Sequence, residues 1–376
     1  MKDPIGAFDT IRDNFILYIK TAFGTRFPSI EAEREALLRK PRVMCQEPWI
    51  EPLPVYQKSG KTISTLTDED LPGLNELEIT YFKSLVSCGL FKDYELHAHQ
   101  VEMLKKTLDC NNCIVTAGTG SGKTESFLLP LFAYLSRESS KWEAPGTPDP
   151  RVNSWWNDTQ WQNSCISENN RIQQTYRIPQ RSHEKREAAV RALIIYPMNA
   201  LVEDQLTRLR KALDSDDARK WFQNDRQGNK IYFGRYNSST PVPGHEFTKH
   251  GNPDKNRIEK LTKSLKGMDS AAKDAEKHAQ KTGKDDAIFY FPRLDGSEMR
   301  SRWDMQDSPP DILITNFSML SIMLMRETDE AIFEKTRQWL AGGEDRVFHL
   351  IIDELHLYRG TAGAEVAYLL RLLLLR

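Results

Sequence analysis

The sequence predicts an α/β fold: a parallel sheet flanked by helices, preceded by a mainly helical N-terminal region and interrupted by two long insertions. Three observations carry this. From about residue 91, short apolar runs alternate with amphipathic stretches of helix length, the rhythm of strand–crossover units. A glycine-rich turn, Ala117-Gly118-Thr119-Gly120-Ser121-Gly122-Lys123-Thr124, stands between one such run and one such helix. A later run, Phe348-His349-Leu350-Ile351-Ile352, ends in two adjacent acids, Asp353 and Glu354.

Composition narrows the classes. The 376 residues are 39% hydrophobic and 28% charged, which allows a sizeable core and roughly two to three domains. Net charge is −1, so any affinity for nucleic acid must come from local patches. The five cysteines, Cys45, Cys88, Cys110, Cys113 and Cys165, are irregularly spaced. That argues against a disulfide framework and for a reducing, cytoplasmic setting. Cys110 and Cys113 form a lone C-x-x-C pair, which cannot complete a tetrahedral zinc site. No signal pattern appears, and no apolar run reaches the ~18 residues of a membrane span. The leucine-rich stretch from Tyr368 to Leu375 is short and broken by Arg371.

In chain order, residues 1–90 read as an accessory region. Phe8, Ile11, Phe15, Tyr18 and Ala22 recur at helical spacing and predict a buried stripe, stopped by Gly24 and Pro28. Ile30 to Leu38 predicts a second helix. Four prolines from Pro41 to Pro54 predict an extended segment, with Trp49 either packed on the core or serving as a binding aromatic. A third helix is expected from Asn75 to Ser87. Beyond residue 91 the predicted strands are Cys113–Ala117, Ala192–Tyr196, Ile231–Tyr236, Ile312–Thr315 and Phe348–Ile352. The predicted helices are Lys123–Tyr134, Asn199–Leu213 and Phe317–Met325. In the second of these, Val202, Leu206, Leu209 and Leu213 form the buried stripe. The insertions span about 137–187 and 238–308. The first carries Trp142, Trp155, Trp156 and Trp161 and reads as a small packed subdomain rather than a set of base-stacking platforms. The second contains a charged run, Ile258 to Lys284, that reads as a solvated helix.

The chemistry sits at strand ends. The turn Ala117 to Thr124 is a P-loop: backbone N–H groups curl around phosphate oxygens, and the helix that follows adds the positive end of its dipole. Lys123 would reach the β- and γ-phosphates, and the Thr124 hydroxyl would sit on Mg²⁺. Asp353 would face Thr124 across the Mg²⁺, Glu354 would orient and deprotonate the attacking water, and His356 would couple nucleotide state to the rest of the core. Phosphoryl transfer needs this pairing because it is mostly positioning and charge neutralisation. Gln100, on the helix before the P-loop, can pair with both the donor and acceptor edge of adenine. Two further turns follow strands. Pro197, Asn199 and Ala200 open one helix, with Asn199 as its cap, and Thr315-Asn316 opens another. Both suit contacts to strand phosphates. Gly234-Arg235-Tyr236 is a weaker third turn.

Taken in order, His99-Gln100, Ala117 to Thr124, Pro197 to Leu201, Thr315-Asn316 and Asp353 to His356 resemble the first RecA-like domain of a superfamily-2 helicase of the DExH type. Tyr358-Arg359-Gly360-Thr361-Ala362-Gly363 is similar to the corresponding stretch of the MrfA-like bacterial helicases. Arg293 to Trp303 is similar to that of the large anti-phage defence helicases of the Druantia type. The resemblance covers about residues 91–376. It implies ATP hydrolysis with Mg²⁺ and movement along single-stranded nucleic acid, DNA rather than RNA. It also implies a second RecA-like domain bearing arginine fingers, which this stretch of sequence does not include. The expectation is therefore an ATP-binding half, with the other half on a partner chain or lost by truncation, and weak or no activity alone. The alternative is an ATP-dependent switch or binding subunit that does not unwind. The signature of transporter ATPases is absent.

Overall fold

A computed structural model describes residues 3–49, 55–92, 94–118, 120–167, 172–283 and 285–376. It divides into two units, Met1–Val55 and Tyr56–Arg376.

The first unit is a helix pair. Helix α1 (Pro4–Ala22) starts at Asp3, whose carboxylate accepts from the N–H groups of Ile5 and Gly6, with a proline in the first turn. Helix α2 (Pro28–Leu38) is tied to it by Lys20–Glu35 at 2.6 Å and Arg39–Asp13 at 2.8 Å. The predicted stripe is not buried: Ile16 alone is covered among the described residues of α1, while Ile11, Phe15 and Tyr18 are exposed. Two short helices cannot enclose so long an apolar face. Trp49 is exposed, against the packed alternative. Residues 50–54, part of the expected extended segment, lie outside the described residues.

The second unit begins earlier than the accessory region was expected to end. Ile63, Leu66, Leu71, Phe82, Leu85 and Val86 already belong to its main core. Its helices are α3 (Glu76–Ser87), α4 (Ala98–Leu108), α5 (Lys123–Ser139), α6 (Thr159–Ser164), α7 (Asn199–Leu213), α8 (Asp216–Asp225), α9 (Lys255–Thr282), α10 (Arg302–Asp307), α11 (Phe317–Met325), α12 (Glu330–Ala341) and α13 (Gly360–Leu375). The strands are β1 (Ala192–Tyr196), β2 (Phe233–Tyr236), β3 (Ile312–Asn316) and β4 (His349–Ile352), all parallel in the order β2-β3-β1-β4. Side chains alternate across the sheet with period two. Ala192, Ile194, Tyr196, Ile312 and Ile314 face α3, α4, α5, α7 and α8, including the predicted stripe of α7. Leu193, Ile195 and Leu313 face α11, α12 and α13.

The register aligns the strand ends. Tyr196 lies beside Asn316, Tyr236 beside Thr315, and Ile195 beside Ile352. The next residue, Asp353, donates its N–H to the Ile195 carbonyl at 3.1 Å. Every turn singled out in the sequence after β1, β2, β3 and β4 thus opens on one edge of the sheet, where open α/β sheets receive ligands.

Two expectations need correction. The run Cys113–Ala117 is not a strand. It borders a cavity of about 690 Å³ shared with β4, and Ile114 is exposed. An apolar pentapeptide has strand propensity, but that propensity is realised through pairing with a neighbour, and along this run Cys113, Val115 and Ala117 are half-buried without any ladder partner among the described residues. Strand β2 also begins two residues late, because the Tyr232 N–H bonds the Asp311 carboxylate instead of the ladder.

The insertions form one core between them. Trp155 and Trp156 from the first are fully buried with Ile258, Leu261, Leu265, Leu294 and Trp303 from the second. The packed-subdomain expectation for the tryptophans agrees with this. The charged run does form a helix, but it is not solvated all round, since α9 buries Ile258, Leu261, Thr262, Leu265, Ala275 and Ala279. At the opposite edge of the sheet, buried Asp311 accepts two 2.7 Å bonds from Arg186 and lies 3.1 Å from Arg191.

Candidate nucleotide and strand site

The P-loop is held from below by its neighbours. Gly120 and Gly122 have φ of 78° and 76°, which side chains with a Cβ rarely adopt. A Cβ on Gly118 would strike the Tyr56 hydroxyl, and one on Gly122 would strike the Gln100 amide. Tyr56 packs edge-on to His97 at 5.8 Å and His99 at 6.1 Å, and the two imidazoles stack at 5.5 Å. Burial lowers the pKa of His99, and His97 lowers it further. Thr119 lies outside the described residues. Ser121 is fully buried, and its hydroxyl has no partner among the described residues.

Gln100 reaches the P-loop. Its oxygen accepts the His97 N–H at 2.9 Å and its Nε2 donates to the Gly122 carbonyl at 3.1 Å. Both ends of the amide are engaged, and the residue is buried. As placed, Gln100 closes the P-loop on the start of α4.

Helix α5 begins at Lys123, whose Nζ lies 4.0 Å from the Glu354 carboxylate. The P-loop lysine and the acid pair therefore share one space. Glu354 has φ of 51°, a strained value for a residue with a side chain. Its N–H donates to Asp353 Oδ1 at 2.8 Å, and its carboxylate lies 3.2 Å from His356 Nδ1. Burial raises the pKa of Asp353 and the neighbouring Glu354 carboxylate adds to the rise, opposed by that N–H bond and by Lys123. Two tyrosines line the same place. Tyr196 is buried with its hydroxyl unpartnered among the described residues, and burial followed by Asp353 raises its pKa strongly. Tyr358 packs on Phe317 at 4.4 Å, and burial followed by Asp353 pushes its phenol up to about 12.

Helix α7 links this space to the strand-end turns. Gln205 donates to the Thr124 hydroxyl at 3.3 Å, and Arg208 pairs with Glu125. Sequence reasoning passed over both residues. A signal existed for Gln205: it is a polar residue within the apolar stripe of α7.

The turns after β1, β2 and β3 converge on three amides. Asn199 Oδ1 accepts from Asn316 Nδ2 at 2.8 Å and from Asn237 Nδ2 at 3.3 Å. Asn199 is not a cap. Met198 holds that position with no side-chain bond, which leaves the first N–H groups of α7 open. Asn316 does cap α11, through Met319 at 2.8 Å. Thr315 is buried and its hydroxyl is spent on the Tyr236 carbonyl at 2.7 Å. Pro197 and Ala200 lie in the same turn. Arg235 pairs with Glu203 of α7, and Asn237, beyond the weaker third turn, joins the cluster unforeseen.

Among the described residues no cluster of three or more His, Cys, Asp or Glu side chains could hold a metal ion. No described helix is long and apolar enough to cross a membrane.

Residues 97–232 match the DEAD/DEAH box helicase family. Over 410 aligned residues, covering 99% of this chain, the sequence is 31% identical to Druantia protein DruE of Escherichia coli (strain UMEA 4076-1). The chain spans 20% of that relative's length. No solved structure matches. Residues 97–232 are thus similar to a DEAD/DEAH box helicase domain, and the chain is, over nearly all of its length, similar to Druantia protein DruE.

Proposed function

We propose that this chain is the ATP-binding half of a DExH-box translocase that works on single-stranded DNA, within an anti-phage defence system in the cytoplasm. The observation that carries the reading is the 4.0 Å approach of Lys123 to Glu354. It brings a phosphate-binding lysine and a candidate general base into one space at the ligand-binding edge of the sheet.

The residues present fit ATP and Mg²⁺. Gly120 and Gly122 take the positive φ the turn needs, and at Gly118 and Gly122 a Cβ would clash with Tyr56 and Gln100, so the loop packs there only as bare backbone. Ala117, Gly118, Gly120, Ser121 and Gly122 carry the N–H groups that would surround the phosphates. Thr124 and Asp353 would hold Mg²⁺, which binds through one or two protein oxygens plus phosphates and water. When bound, the ion neutralises charge on the transferring phosphoryl group. Lys123 would balance the remaining phosphate charge, and Glu354 would orient and deprotonate the water. His356, against Glu354, would report the occupancy of the site.

For the strand, the open N–H groups of α7 and the Asn199–Asn316–Asn237 amides offer donors to backbone phosphates. The second wall of the cleft, with its arginine fingers, would come from a second RecA-like domain on a longer polypeptide or a partner chain. Such fingers contribute ~10³–10⁵ in rate, so the chain by itself should bind ATP and turn it over slowly. Mg²⁺-dependent ATP binding lost in Lys123→Ala, with little dT-oligonucleotide-stimulated turnover until the second domain is added, is the expected result. Robust DNA-stimulated hydrolysis by the chain alone would refute the half-site reading, and full ATP binding by Lys123→Ala would refute the P-loop assignment.

A further inference from the structure

Helix α7 joins the two parts of the site through Asn199 and two further side chains, Gln205 and Arg208, that no motif assigned. Its first turn carries Asn199, which holds the strand-facing amides of Asn237 and Asn316. Two turns further on, Gln205 is buried and donates its Nε2–H to the Thr124 hydroxyl. Its Oε1 is buried with no partner among the described residues. Three residues later, on the same helix face, Arg208 pairs with Glu125 and acts on the Asp353 carboxylate.

We propose that Gln205 is a positioning residue for the cation site and that, with Arg208, it bolts the first turn of the P-loop helix to the helix that begins at the strand-facing turn. The chemistry follows from the inventory of a hydroxyl, which has one O–H and two lone pairs. With one lone pair taken by the Gln205 N–H, the other lone pair and the O–H are left for a further partner, away from the Gln205 amide. A cation ligated by Thr124 then meets an oriented oxygen instead of a free rotor. Any shift of α7 on engagement of a strand is passed to Thr124 through the same bond. A buried amide at a stripe position is otherwise costly, because its unpartnered Oε1 is desolvated without return. The inference rests on the proposed nucleotide site.

Gln205→Met keeps the side-chain length, removes the N–H donor and removes the orphaned oxygen, so the variant should fold at least as well as the parent. Titrate fluorescent ATP onto the full chain at a series of Mg²⁺ concentrations, with and without dT oligonucleotide. The Mg²⁺ concentration for half-maximal binding should rise about threefold to tenfold in Gln205→Met, the range of one net hydrogen bond, while metal-free binding stays within about twofold. In a Thr124→Ala background Gln205→Met should add nothing, because the shared hydroxyl is gone. The effect of oligonucleotide on ATP affinity should shrink toward one in the single variant. An unchanged Mg²⁺ requirement in Gln205→Met, or an undiminished increment in the Thr124→Ala background, overturns the inference. If the unsubstituted chain shows no Mg²⁺-dependent ATP binding, the proposed function fails instead, and the two failures are read from different samples.

Discussion

Asp311 gives a sharp test of how the sheet is held. It is fully buried just before β3 and accepts two 2.7 Å bonds from Arg186 and one from the Tyr232 N–H, also at 2.7 Å. Arg191 lies 3.1 Å away. One carboxylate thus joins the first insertion, β1, the approach to β2 and β3. Asp311→Ala strips the acceptor from two buried guanidiniums. Breaking a buried pair costs about 3–5 kcal/mol, and a stranded N–H costs roughly 1–3 kcal/mol. The low end applies, because each arginine keeps other partners. Arg186 still bonds the Lys230 carbonyl and stacks 3.6 Å from the Trp142 ring centroid, and Arg191 still pairs with Glu138 at 2.7 Å. The expected loss is about 3 kcal/mol, with Asp311→Asn losing roughly half as much because an amide oxygen still accepts.

The assay is urea denaturation followed by intrinsic tryptophan fluorescence, with the slope checked for constancy. The acid limb adds a second readout. Burial alone would raise the Asp311 pKa, but Arg186 and then Arg191 outweigh it and hold the carboxyl at about 2. A depressed folded pKa contributes stability that is complete above the unfolded value near 4 and is lost as pH falls through about 2. The gap between parent and variant should therefore close over that window. A loss below about 1 kcal/mol at neutral pH with unchanged slope would refute the reasoning.

Two other outcomes follow from burial. His349 is held neutral at the start of β4, its pKa pushed down to about 4 by burial and by Arg137, with Tyr134 packed at 4.5 Å. The unfolded chain takes up that proton first, so stability falls as pH drops from about 6.5 to about 4; His349→Phe should flatten this slope in melts across that range. Trp155→Ala should cost about 3–5 kcal/mol locally and raise protease sensitivity in both insertions together, because they share one core; cleavage confined to residues 137–187 would contradict this.

Legibility followed range. The helix boundaries of α7 and α11 were read to the residue, because an apolar stripe is a local pattern. The acids after β4 were legible as the end of an apolar run. Gln100 was legible as a P-loop neighbour, but its partners were not, because an amide spends its donors according to which backbone groups surround it. Asn199 looked like a cap from composition. It became the acceptor for Asn316 because the β1–β3 register brings their turns side by side. Residues 113–117 have a strand composition yet make no ladder, since pairing depends on a neighbour the pentapeptide cannot specify.

By itself the sequence determined the chemistry carried on contiguous residues: the glycine turn with Lys123 and Thr124, the Asp353–Glu354 pair, and the buried stripe of α7. These depend on spacing within a few residues, and the backbone's own geometry enforces them. Only the tertiary structure decided which of those groups meet. Gln205 and Thr124 lie 81 positions apart, Asn199 and Asn316 lie 117 apart, and Arg300 of one insertion bonds the Val152 carbonyl of the other across 148. Such contacts arise from parallel register and from burying two apolar surfaces against each other, and neither is a property of any short stretch of chain.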